Sequence, residues 1–130
     1  MNAHLALEFA QPEILEPLLA MDAAELDTLG FGVIGIDPDT VVRDYNVFES
    51  KIAGLSRERV VGHPLFTVVA PCMNNFMVAQ RFEDAAASGE ALDVTLDYVL
   101  TLRMRPVKVQ LRLLSGPLTE RRFVLVNRKI

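Results

Sequence analysis

At 130 residues and 51% apolar composition, the chain has the length for one compact domain with a real core and no room for a second. Its 13 basic residues against 17 acidic ones give a formal charge of −4, the wrong sign for a surface that tracks phosphates, so nucleic acid is not an expected partner. One cysteine cannot close an intramolecular disulfide, and two separated histidines, His4 and His63, cannot complete a Cys/His zinc cluster. The start, Met1 to Ala10, lacks a basic n-region, and no apolar run approaches the roughly 18 residues that span a bilayer, so the expected compartment is the cytoplasm, with no membrane partner.

Pro12 to Met21 mixes helix-period apolar residues with Pro17, which predicts a short or broken helix. Ala23 to Leu29 reads as a second short helix, capped by Asp22 and stopped by Gly30. Residues 1–29 therefore read as an N-terminal helical cap on a core of residues 30–130. From Phe31 the period changes. Gly32-Val33-Ile34-Gly35-Ile36 and Val41-Val42-Arg43-Asp44-Tyr45 flank an Asp37-Pro38-Asp39-Thr40 turn, the pattern of a β-hairpin. Short helical segments are expected to about Gly62. A longer helix, capped by Asn74 or Asn75 and carrying Val78, Phe82 and Ala85 on one face, ends at Ser88-Gly89. Three strands follow, roughly Leu92 to Leu102, Val107 to Leu114 and Phe123 to Lys129. The order β-β-α-α-α-β-β-β is that of an α+β PAS fold, a five-stranded antiparallel sheet with helices over one face.

Composition and periodicity carry no further than a sensor-like domain; function has to come from a site. The lone Cys72 stands in Val68-Val69-Ala70-Pro71-Cys72. A single cysteine is ordinarily a small apolar core residue. Read as lying just before a helix start, Cys72 would meet unsatisfied N–H groups that favour a thiolate and donate to a carbonyl oxygen carried on the sulfur, so acylation is chemically reasonable. A thiol enzyme would also need a base, and the candidates are His4 in the terminus and His63 before a proline. Tyr45 and Glu49 are spaced i, i+4, so both point one way if the strand end passes into a helical turn. That spacing alone carries no weight, since a surface glutamate beside a half-buried tyrosine is the ordinary reading.

These residues and their neighbours resemble the photoactive yellow proteins, small blue-light sensors that attach a 4-hydroxycinnamoyl group to a cysteine through a thioester. The resemblance runs from Met21-Asp22 to the C-terminus. It rests on Phe31-Gly32, Tyr45-Asn46, Glu49, Gly54, Val61-Gly62, Phe66, Val69-Ala70-Pro71-Cys72, Phe82, Ala87-Ser88-Gly89, Met104 with Pro106, Lys108-Val109 and Ser115-Gly116. It implies that Cys72 carries 4-hydroxycinnamic (p-coumaric) acid, with Ala70 and Pro71 leading into the attachment point, and that Tyr45 and Glu49 bind the phenolate oxygen. Tyr98 matches the tyrosine on the strand flanking the pocket, and Met104 the methionine of the covering loop that assists return to the dark state. The chain departs from the family pattern at Ala53, where a threonine supports the phenol, and at Leu55, where an arginine shields the pocket. Leu65 and Leu100 stand in place of pocket phenylalanines, one residue is inserted between Gly89 and Tyr98, and Met73 to Gln80 diverges most. Loss of the threonine hydroxyl removes about 0.5–1.5 kcal/mol, which predicts a less firmly held Tyr45 and altered colour and recovery.

The mechanism implied by the resemblance is photoisomerisation, proton transfer from a protonated Glu49 to the phenolate, and unfolding of the N-terminal cap around the resulting buried charge. Burial disfavours an ionised carboxyl, the condition under which Glu49 would stay a neutral donor. The chain is expected to be a monomer or weak homodimer, not an enzyme, that signals to a separate downstream protein. The rival readings are a pigment-free PAS interaction module, favoured by Ala53 and Leu55, and a thiol enzyme or redox sensor built on Cys72. A flavin or haem sensor finds no flavin-adduct cysteine motif and no axial histidine. Phe31, Phe66, Phe76 and Phe82 read as core. Arg103 and Arg105 read as solvated, and Arg121, Arg122, Arg128 and Lys129 as an exposed strand face and tail.

Overall fold

The computed structural model describes residues 7–101 and 105–128. Five strands, β1 (Gly32–Ile36), β2 (Val42–Tyr45), β3 (Leu92–Leu100), β4 (Val107–Ser115) and β5 (Arg122–Asn127), form one antiparallel sheet in the order β2-β1-β5-β4-β3. This is the sheet that the sequence pattern predicts. The crossover from β2 to β3 carries the helices α3 (Val47–Ala53), α4 (Arg57–Val60) and α5 (Ala79–Ser88), with a π-helical segment, Leu65–Val69, and a 3₁₀ turn, Pro71–Met73, between the last two.

The hairpin turn is closed by backbone bonds from Asp37 N to Val41 O and from Thr40 N to Asp37 O, and the Asp37 side chain adds to them. Its Oδ1 accepts from the N–H groups of Asp39 and Val41, at 2.9 and 3.0 Å, and its Oδ2 from Arg43 Nε at 3.0 Å. Strand alternation then sorts apolar residues onto two faces. Ile34, Ile36, Leu111, Leu113, Val124 and Val126 meet the crossover helices, whereas Val33, Leu114, Phe123 and Leu125 meet the N-terminal segment.

That segment holds α1 (Leu15–Leu19) and α2 (Ala23–Leu26). Pro17 occupies the third position of α1, within the first turn, where its missing N–H has no intrahelical partner to lose. Asp22 and Glu25 form a full capping box on α2, which ends at Leu26, three residues before the predicted end. Both helices are too short to hold alone, and they dock through Ile14, Leu18, Leu26 and Leu29.

The predicted start of α5 needs correction. Asn75 does not cap it: Val78 precedes the first helical residue, and Asn75 Oδ1 accepts from the N–H groups of Met77 and Val78 in a turn beforehand. The same turn leaves Phe76 78% exposed, so it is not a core residue, whereas Phe31, Phe66 and Phe82 are buried. Strand β3 ends at Leu100 rather than Leu102, and Leu102, Met104 and Lys129 lie outside the described residues.

Candidate functional site

Tyr45 ends β2 opposite Ile34, and Asn46 turns the chain into α3. The Asn46 side chain makes that turn rigid. Its Oδ1 accepts from Glu49 N at 3.1 Å, capping the helix, and from Val33 N at 3.0 Å; its Nδ2 donates to the carbonyls of Leu26 and Phe31, both at 3.0 Å. One buried amide thus joins α2, β1 and α3. The cap places Glu49 at the third position of α3, one turn from Tyr45, and both side chains are buried, at 1% and 3% exposure. The strand end passes into a helical turn, the condition the i, i+4 spacing requires, and the Glu49 charge acts on the Tyr45 phenol.

Around them lies a continuous apolar cluster. Tyr45, Leu65, Ala70 and Leu100 are buried members of it, and Leu55, Cys72 and Tyr98 are half-buried against it. Ala53 is buried on α3, so the position that lacks a threonine hydroxyl is filled with a methyl group. Pro71 is exposed and serves instead to start the 3₁₀ turn that carries Cys72. That turn corrects a second expectation. Cys72 does not sit at the start of α5, which begins seven residues later, and the turn's own N–H groups are used: Met73 N donates to Ala70 O and Asn74 N to Pro71 O. What fixes Cys72 is its carbonyl, which accepts from the Tyr98 hydroxyl and, at 3.1 Å, from Asn75 Nδ2. Asn75 Nδ2 also donates to the Tyr98 oxygen at 2.6 Å. Met104 lies outside the described residues.

The carboxyl end of the site holds a residue that sequence reading assigned to an exposed tail. Arg128, one residue beyond β5, is 12% exposed and grips Glu49 with both arms, Nη1 to Oε1 at 2.5 Å and Nη2 to Oε2 at 2.9 Å. The floor beneath is Gly32, where an added Cβ would lie 2.0 Å from Glu49 Oε1 and 3.2 Å from the Val126 Cβ. Only a glycine lets the carboxyl lie this close to β1. Burial pushes the Tyr45 phenol well above its ordinary value; the Glu49 carboxylate adds to the rise, and Arg128 opposes it. Arg57 closes the other end, donating from Nε to Tyr45 O at 3.0 Å and from Nη2 to Asp27 at 2.7 Å. Neither Arg128 nor Arg57 carries a local sequence signal. Asn46 did, as an Asn three residues before a Glu at a strand end.

A cleft of about 790 Å³ opens next to this site, lined by Asn75, Met77, Tyr98 and Val109 and by the outward-facing Asp97, Val99, Lys108 and Gln110. It shares Tyr98 with the site but touches neither Tyr45, Glu49 nor Cys72. Among the described residues no group of His, Cys, Asp and Glu could hold a metal ion, and no helix is long and apolar enough to cross a membrane.

The profile of the PAS fold matches residues 26–130. The photoactive yellow protein of Halochromatium salexigens is 30% identical over 94% of this chain and 97% of its own length, and that of Rhodothalassium salexigens is 29% identical over the same shares. Among solved structures, the photoactive yellow protein domain of the sensor histidine kinase Ppr from Rhodospirillum centenum superposes with a TM-score of 0.78. It is 37% identical over 87% of this chain and 98% of that domain.

Proposed function

The chain belongs to the photoactive yellow protein family of PAS-fold domains, and we propose that it is a cytoplasmic blue-light photoreceptor carrying a 4-hydroxycinnamoyl group on Cys72 through a thioester. The observation that carries this reading is that the chain's one thiol and Tyr45 border the same apolar cluster, with a buried carboxyl, Glu49, one turn away from the phenol. A long, flat, apolar ring with a hydroxyl at its far end suits such a set of side chains: a half-buried thiol, the apolar Leu55, Leu65, Ala70 and Leu100 of the same cluster, and two oxygen-bearing side chains. When bound, the group supplies visible absorption and a double bond that light isomerises.

The remaining work falls to the chain's own side chains. Acylation of Cys72 by an activated 4-hydroxycinnamate forms an S–C bond, expels the activating group and releases the thiol proton to water. Tyr98 and Asn75 hold the Cys72 carbonyl, and so fix the backbone from which the sulfur projects. Burial keeps the proton on the Tyr45 hydroxyl, which would serve as a hydrogen-bond donor to the phenolic oxygen of the bound group. Glu49, when protonated, would be the second donor, and after light absorption it would pass its proton to the same oxygen. A change of charge at Glu49 acts on the first turn of α3. The cap of that turn, Asn46, also holds Leu26 of α2, so the disturbance reaches the N-terminal segment through one amide. Release of that segment, residues before about Leu29, is the signal to a separate protein.

The test is an absorption spectrum after mixing the protein with 4-hydroxycinnamic anhydride, beside Cys72→Ala, before and after a blue flash. A visible band that needs Cys72, bleaches in the flash and returns in the dark is the expected result. Absence of any Cys72-dependent band would leave a PAS interaction module in its place.

A further inference from the structure

The mechanism above asks Glu49 to carry a proton, yet the strongest ionic contact in the site is one that a protonated carboxyl cannot make. A fork-to-fork pair with arginine uses both carboxylate oxygens as acceptors, and the guanidinium stays charged at any pH at which the chain is folded. Both arms of Arg128 are engaged, at 2.5 and 2.9 Å, with the two side chains 12% and 2% exposed. The geometry is built in from three elements. Arg128 reaches back from beyond β5, on the face of the sheet that carries Val126; Gly32 clears the floor; and the Asn46 cap fixes the turn of α3 from which Glu49 projects.

The other charged groups around Glu49 do not supply this role. Tyr45 of β2 is neutral, and Lys51 on α3 is exposed. Arg57 of α4 is committed to Asp27 at the end of α2 and to the Tyr45 carbonyl. Among the described residues, Arg128 is the cation bonded to Glu49.

We propose that in the unloaded chain Arg128 is the positioning residue that keeps Glu49 ionised, and that Glu49 takes up the proton it would later donate only when the Arg128 pair opens. This rests on the reading of Glu49 as the donor. It turns the buried charge expected after proton transfer into a paired one: the carboxylate that Glu49 becomes has a partner already aimed at it. Arg128 thereby sets how much of the charge change reaches Asn46 and the N-terminal segment.

The experiment is carboxyl-stretch infrared spectroscopy of the unloaded protein at pH 7, in the wild type, Arg128→Gln, Arg128→Lys and each combined with Glu49→Gln. The wild type is expected to show no neutral-carboxyl band that Glu49→Gln removes. Arg128→Gln gains one such band, of a single carboxyl's intensity, and Glu49→Gln abolishes it. Arg128→Lys restores the cation and suppresses the band, which a merely structural role would not explain. A neutral Glu49 band in the wild type, or none in Arg128→Gln, would overturn the proposal. Should Arg128→Gln not fold, 13C-glutamate NMR of the wild type, with Glu49→Gln assigning the resonance, decides alone: a carboxylate shift supports the pair and a protonated shift overturns it. Failure of Cys72 to acquire a visible band would remove the photoreceptor reading and leave these unloaded-state results standing.

Discussion

The two faces of the sheet carry the same alternating apolar pattern but are closed by different means. On the face under α3 to α5 the cover is the crossover itself, and the cluster from Ile34 to Val126 is the larger of the two. Tyr45 lies inside it, and Glu49 is buried on α3. On the opposite face the cover is the segment that precedes β1. Beyond the smaller cluster around Ile14, Leu18, Leu26 and Phe123, that segment is held by arginines that reach its backbone carbonyls. Arg112 donates to Phe9 O and Gln11 O at 2.8 and 2.7 Å while both its other arms bind Asp93. Arg121 donates to Leu19 O at 3.0 Å, pairs with Asp44 and stacks its guanidinium on Phe123. One face is a core that can hold a charge, and the other is a docked segment fastened at a few points.

Asn46 is the residue that belongs to both faces, so its loss is expected to have the largest effect. Asn46→Ala removes the α3 cap, leaves the buried N–H of Val33 and the carbonyl of Phe31 without their partner, and takes one of two donors from the Leu26 carbonyl, which keeps Leu29 N. The expected cost is about 3 kcal/mol, from one cap and the buried groups left unpaired. Urea unfolding measures it, and hydrogen exchange should show protection lost both in residues 7–29 and in α3. Loss confined to one of the two would break the link drawn between the faces.

Arg112→Leu tests the cap face alone. Its side chain is buried, and the two carbonyls it holds have no other donor among the described contacts. A loss of about 2 kcal/mol is expected, read as faster hydrogen exchange in residues 7–19 with α3 and α5 unchanged. Part of the ion pair with Asp93 lies in solvent and adds little. Equal loosening on both faces would mean that Arg112 supports the sheet rather than the segment docked on it.

Which of these features the sequence disclosed follows from how local they are. The hairpin turn at Asp37, the Asp22 cap and the stop at Gly89, with φ +71°, are short-range chemistry that the sequence shows directly; the stop at Gly54, with φ +73°, is equally local but was read only as part of short helices running to about Gly62. Of the five strands β3 alternates, whereas β1 and β5 are short apolar runs buried on both faces; they were legible from their β-branched residues and marked turns. The arginines were not. Arg128 meets Glu49 across 79 residues, and Arg112 meets Phe9 across 103; in the chain each is one more cation on a terminal strand. Whether such a residue faces solvent depends on sheet order, which places β5 between β1 and β4 and so brings the end of β5 to the helix that starts after β2. The Cys72 turn was misread for a related reason: Asn75 looked like a helix cap because nothing local shows that its amide is spent on Tyr98 and the Cys72 carbonyl.

The smallest effect concerns Tyr45, and its sign can be worked out. Burial first, then the Glu49 carboxylate, raise the phenol above the ordinary value of about 10 that it has in the unfolded chain. Above about pH 10 the unfolded chain therefore gives up a proton that the folded one keeps, so stability falls as pH rises through that point, by at most about 1.4 kcal/mol per pH unit. Below pH 10 both states hold the proton and Tyr45 contributes no slope. Tyr45→Phe removes this single proton. In urea titrations between pH 9 and 11.5, wild type and variant are expected to run parallel up to about pH 10, after which the wild type falls more steeply by one proton's worth. Groups that titrate in both proteins cancel in that difference, which isolates the phenol from the lysines and arginines nearby. Parallel curves throughout would mean that Tyr45 reaches water in the folded chain, and the face that holds the carboxyl would then be no drier than the face that holds the docked segment.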